Sequence, residues 1–273
     1  MLFCWLGEGV AGLLTASLLV ALGDAFRSGA DQALLYRSCV ALERTRDFQR
    51  IEATTKSVEL IALVALLLVG GGIAAAGSFE AAWIAECALS AAGLAIAWTL
   101  VEPPPQVRST EDETSDSGDA RPIQSSWGVF RTSVPVIVPA SLLGAAAGAW
   151  GFLAQTGGDG DAGTMTLLVA AITLVEAAGA FLSRYLPANE SMQWLILTLG
   201  VVVAATPLVT SSAFLPAVVG LSLLTGVAEP LRASAIQQAA ADHVRAQAAS
   251  WASAIDKGLS TVALFTAGVL PRR

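Results

Sequence analysis

Eight stretches of mostly apolar residues recur along this chain, and they dominate what it can fold into. They run from Val10 to about Tyr36, Thr54 to Gly77, Glu80 to Val101, Trp127 to Gln155, Gly163 to Leu186, Met192 to Thr210, Phe214 to Gln238 and Ala249 to Leu270. About 20 such residues in a helix cross the roughly 30 Å of a bilayer's hydrocarbon. Lipid offers no hydrogen bonds, so each segment must satisfy its own backbone, which a helix does. The expected class is an all-α integral membrane protein, a polytopic bundle of about eight helices. Residues 1–9 read ambiguously, the frayed end of a further helix among the options.

The composition agrees. Apolar residues make up 55% and charged residues 14%, with mean hydropathy +0.65; soluble domains carry roughly 25% charged residues. The net charge of −7 comes without a basic patch, which argues against a nucleic-acid partner. Cys4, Cys39 and Cys87 lie far apart with no pairing or metal spacing, so they read as packing residues, and His243 cannot hold a metal alone. No basic region precedes the first apolar run, so no signal peptide is expected.

The turns imply an orientation. Arg44, Arg46, Arg50 and Lys56 surround the first turn, Arg108, Arg121 and Arg131 the third, Arg184 the fifth, and Arg232, Arg245 and Lys257 flank the seventh. The turns near Gly77-Ser78, Gly157 to Gly163 and Ser211-Ser212 have no Lys or Arg. By the positive-inside rule the chain starts outside, in a cell membrane. Arg272 and Arg273 break the pattern, as a chain that stops early or carries non-native last residues would. Residues 102–126 carry Pro103-Pro104-Pro105 and then a run of acids and hydroxyls from Ser109 to Asp119. With little to bury, they are expected to form a disordered cytoplasmic linker. The linker divides the chain into an N-terminal half, 1–101, with three spans and a C-terminal half, 127–273, with five.

The first and seventh spans resemble each other. Asp24-Ala25-Phe26-Arg27-Ser28-Gly29-Ala30 matches Glu229-Pro230-Leu231-Arg232-Ala233-Ser234-Ala235, and both precede an inner turn. This is a parallel repeat about an axis along the membrane normal. The repeat, the linker, the string Ser28-Gly29-Ala30-Asp31-Gln32-Ala33-Leu34-Leu35-Tyr36, the pair Glu102-Pro103 and the residues Pro230 and Arg245-Ala246 together resemble the major facilitator superfamily. The resemblance implies two pseudo-symmetric halves that rock about a central site, with the eight spans standing for helices four to eleven of the family's twelve. It also implies a secondary transporter, or permease, for a small solute, with a proton or ion as the possible coupled species. The departures are specific. Arg37 replaces the acid after the tyrosine, Leu19 stands where proton-coupled members carry arginine, Gly70-Gly71-Gly72 lacks the proline of drug antiporters, and Ser183 precedes Arg184 where an acid is usual.

An ionisable group at mid-bilayer costs roughly 2.5–3.5 kcal/mol on insertion scales and so needs a reason. Asp24, Arg27 and Asp31 stand at three- and four-residue spacings, and with Arg37 they read either as an inner gate of breakable salt bridges or as a snorkelling cluster. Glu229 and Arg232 occupy the matching place in the second half, beside Pro230. Glu176 lies near mid-span with no basic residue one turn away, which makes it the best protonatable or substrate-facing acid. Glu59 is within reach of Lys56, while Asp256 and Lys257 read as interfacial anchors and most tryptophans as an aromatic belt. No nucleophile with a histidine partner, metal cluster or nucleotide loop is visible, so no enzyme, cofactor or metal is expected. The rival class is a non-transporting scaffold, subunit or remnant, because loss of four family helices would remove part of the cavity wall.

Overall fold

The computed structural model describes residues 30–76, 79–99, 126–156, 162–240 and 244–269, together with Gly23. Asp24, Arg27 and the linker from 102 to 125 lie outside the described residues, as do Cys4 and His243. Eight helices are found among the described residues. Helix α1 covers residues 30–41 and α2 is Phe48–Ala76; α3 is Phe79–Ala97, α4 Ser126–Thr156, α5 Ala162–Ser183, α6 Glu190–Val209, α7 Phe214–Ala239 and α8 Arg245–Val269. No strand occurs among the described residues.

Five of these helices are long and apolar enough to cross a membrane: α2 with its leading turn, α3, α5, α6 and α7. Helix α4 carries a shorter apolar stretch, Ile137–Gly151. Helix α8 is more polar, with Gln247, Asp256 and Lys257 along its length. The outward faces are apolar: Ile61, Leu66 and Val69 of α2, Ile84, Leu94 and Ile96 of α3, and Leu195, Leu199 and Val202 of α6 are all exposed. Exposed apolar side chains in such number mark a surface that faces lipid or a partner. Apolar faces outward and charges inward are the arrangement of a membrane protein.

Local signals set the helix ends. Asn189 caps α6, its side chain accepting from the Met192 N–H at 2.8 Å. Pro207 near the end of α6 has no N–H for the Val203 carbonyl, and the Thr206 hydroxyl donates to that oxygen at 2.7 Å instead. Helix α1 closes through Glu43 at φ 57°, with the Arg44 N–H donating to the Cys39 carbonyl at 2.7 Å. Glycine is the usual occupant of such a left-handed closure.

Helix α7 forms the centre, with α2, α4, α5, α6 and α8 around it. Leu221 and Leu231 are fully buried and pack with Leu143 of α4 and Ile196 of α6. Ile236 joins Ile137 of α4 and Ala248 and Ala252 of α8. The tightest crossing is between α5 and α7. A Cβ on Gly226 would stand 2.0 Å from the Glu176 carbonyl oxygen, and one on Gly179 would stand 2.2 Å from that of Leu223. Backbone touches backbone there, which only glycine permits. Because lipid tails are as apolar as leucine, membrane helices associate through such close fits and polar contacts, not through burial from water.

One end of the bundle is fastened by polar contacts. The Gln49 side chain donates to the carbonyls of Ser183, at 2.8 Å, and Leu186. The Arg245 guanidinium lies over the Tyr36 ring, 4.2 Å from its centre, and its Nε donates to the Gln237 carbonyl at 3.2 Å. Tyr36 meets Phe48 edge to face with ring centres 5.1 Å apart. The α1–α2, α5–α6 and α7–α8 turns therefore share one end, with Arg44, Arg46, Arg50, Arg184 and Arg245 in or beside them.

Candidate functional site

Four helices present one stripe each, at the three- and four-residue spacing of a helix face, to a common cavity. Helix α7 contributes Ser222, Thr225, Glu229 and Arg232, and α5 contributes Val169, Ile172 and Glu176. Helix α4 contributes Ala140, Gly144, Ala147, Gly148 and Gly151, and α8 contributes Asp256, Lys257 and Ser260. Lys56 of α2 completes the wall. The cavity volume is about 600 Å³, inside the range for small-molecule sites. Gly151 and Val169 place its far reach toward the α4–α5 end, away from the fastened end.

Charges cluster at the floor. Lys56 Nζ stands 3.2 Å from Glu229 Oε1 and 3.3 Å from Glu59 Oε2. Arg232 Nη1 stands 3.3 Å from Asp256 Oδ1 and 3.4 Å from the Ser141 hydroxyl. All four distances exceed the 2.7–2.9 Å of a tight charged hydrogen bond. A Cβ on Gly144 would stand 3.4 Å from Asp256 Oδ1, so the small residue makes room for that carboxylate. Pro230 has no N–H, which leaves the Gly226 carbonyl without its helical donor.

Glu176, Glu229 and Arg232, each expected from sequence to matter, meet in this one cavity. Glu229 and Arg232 do not pair with each other; each reaches a different helix. Glu59 reaches Lys56, as its position implies. Asp31 and Arg37 of α1 do not line the cavity, although their neighbour Gln32 lines a smaller pocket of about 110 Å³ beneath it. Asp24 and Arg27 lie outside the described residues. Asp256 and Lys257 are not interfacial anchors: both line the cavity, about three turns into α8. Lys56 was legible only as a turn residue. Its signal was the polar first turns of α2, which begins at Phe48, ahead of its apolar run.

Fold and site together give, among the described residues, an all-helical bundle with five helices long and apolar enough to cross a membrane and a charged cavity among its helices. Compared with protein-family models, curated proteins and solved structures, the chain shows no match.

Proposed function

We propose that the chain is a secondary transporter of the major facilitator type, working by alternating access on a small polar solute. The observation that carries this reading is the 600 Å³ cavity, bounded by charged residues from α2, α5, α7 and α8, in a bundle fastened at one end by a handful of polar contacts. Ion pairs of 3.2–3.3 Å between Lys56 and Glu229 and between Arg232 and Asp256 tie helices together at the floor, and they can be exchanged for solute contacts. The arginine-bearing end is the cytoplasmic one by the positive-inside rule. Lipid surrounds the bundle, and a proton or ion is the coupled species. The resemblance in the Ser28–Tyr36 string and in the two matching acid–arginine spans supports the same reading.

A substrate-independent test uses Thr225→Cys on a background with Cys4, Cys39 and Cys87 changed to serine. In oriented vesicles, alternating access exposes this position to an impermeant maleimide from either face. A short bis-maleimide bridge between Gln49→Cys and Leu186→Cys then abolishes labelling from the fastened side and spares the other. Labelling from one face only, bridged or not, identifies a static scaffold and refutes transport.

A further inference from the structure

We infer that the cavity is a binding site for a small organic amine, its ammonium group held by Glu176 and its apolar body lying against α4. The inference deepens the transport reading by naming a ligand class, but binding itself does not depend on transport.

Glu176 is distinct among the cavity's charged groups. Glu229 has Lys56 and Asp256 has Arg232, whereas Glu176 makes no hydrogen bond or ion pair with another described residue. A carboxylate left so inside a membrane protein is costly unless something compensates it. The charged groups acting most strongly on it are Glu229, Lys56, Asp256 and Glu59, three acids against one base. Arg232 and Lys257 also line the cavity, so any preference for a cation is local to the Glu176 carboxylate, not a property of the cavity as a whole. No three His, Cys, Asp or Glu side chains stand together as metal ligands among the described residues, which points to a cation satisfied by one carboxylate plus neutral acceptors.

A neutral acceptor is at hand. The Thr225 hydroxyl oxygen, on the cavity stripe of α7, is shielded from solvent and has no hydrogen-bond partner among the described residues. An ammonium group has three donors and no acceptor, so with one N–H on Glu176 it keeps donors for a further acceptor lining the same cavity, such as Thr225 once its hydroxyl rotates toward it.

The body of the ligand has its own wall. A Cβ on Gly148 or Gly151 would meet nothing within 4 Å, so these glycines border open space. With Ala147 they form a bare apolar strip facing the cavity. An apolar group beside the ammonium fits that strip, as a bare metal ion or a polyhydroxyl solute does not.

The test uses benzylamine, benzyl alcohol and benzoate, which share one body and differ in charge. Binding to the purified full chain is read by calorimetry and by the shift in thermal midpoint. Benzylamine is expected to bind and the other two are not. Glu176→Gln should weaken benzylamine by about tenfold or more, and Gly148→Leu, whose Cβ would meet nothing within 4 Å, should abolish binding without lowering the unliganded midpoint. Glu80→Gln on α3, outside the cavity, should leave affinity unchanged. Benzoate binding more tightly than benzylamine, or full affinity in both Glu176→Gln and Gly148→Leu, overturns the inference. Counterflow separates the two readings: benzylamine binding without flux upholds the site and removes transport, while flux of an anion without amine binding upholds transport and removes this inference.

Discussion

Gly226→Ala is the sharpest perturbation this fold offers. The new methyl carbon would stand 2.0 Å from the Glu176 carbonyl oxygen, 2.9 Å from its carbon and 3.0 Å from the Ala180 nitrogen. All three are backbone atoms, so no rotamer can yield, and α5 and α7 must separate by about 1 Å. Close-packed interiors resist such shifts, and overpacking typically costs about 1–3 kcal/mol. Against this, alanine returns up to about 1 kcal/mol of helix propensity. The net expectation is a loss of about 1–2 kcal/mol, or roughly 2–8 °C in thermal midpoint for a chain of this size. Two controls calibrate the figure. Gly200→Ala would meet Leu143 Cδ1 at 2.3 Å, the far end of a flexible side chain, and should cost less. Gly148→Ala faces open space and should be neutral or stabilising. Tryptophan-monitored melting of the three purified variants should rank them Gly148→Ala, Gly200→Ala, Gly226→Ala, from most to least stable. If Gly226→Ala melts with Gly148→Ala, the two helices do not touch as described and the placement of Glu176 in the cavity fails with them.

Lys56→Gln and Glu229→Gln should be non-additive, with a coupling of about 1 kcal/mol in a double-mutant cycle of chemical denaturation midpoints. Glu43→Gly should stabilise by about 0.5–1 kcal/mol in the same assay, because glycine reaches a φ of 57° without the steric cost a side chain incurs. Burial pushes the Cys39 thiol above its ordinary range, although Arg44 pulls the other way. In a Cys4→Ser, Cys87→Ser background at neutral pH, maleimide should therefore modify buried Cys39 slowly in the folded chain and fast once the chain is unfolded. Because the folded chain holds the Cys39 proton more tightly than the unfolded chain, its contribution is complete below about pH 8.5 and is lost as pH rises through the folded value. A Cys39→Ala variant should show a weaker loss of stability across that alkaline window.

The helices were legible because lipid imposes one rule on every segment, and the apolar runs mark α2 to α7 to within a few residues, save the start of α2 and the end of α3. The start of α2 was not, since Gln49 and Lys56 look like turn residues until their partners on other helices are known. The α7 stripe of Ser222, Thr225, Glu229 and Arg232 could be read from spacing alone. Its partners could not, because Lys56 and Asp256 reach it across helices, and sequence shows periodicity but no register between helices. The reading of Asp256-Lys257 as an end anchor failed because α8 begins at Arg245, well before its apolar part.

Helix α2 is held as a cantilever is held. Polar fastenings on the neighbouring bundle, through Gln49, Lys56 and Ser57, fall within its first three turns. Beyond Ser57 about 28 Å of helix remains, resting on α5 through shape, as where Leu60 meets Ala177 or Gly71 meets Thr166. Acyl chains can stand in for such a neighbour at little loss. Membrane thickness and lateral tension would thus flex the unsupported beam, and the mouth of the cavity would respond to the lipid before its floor did.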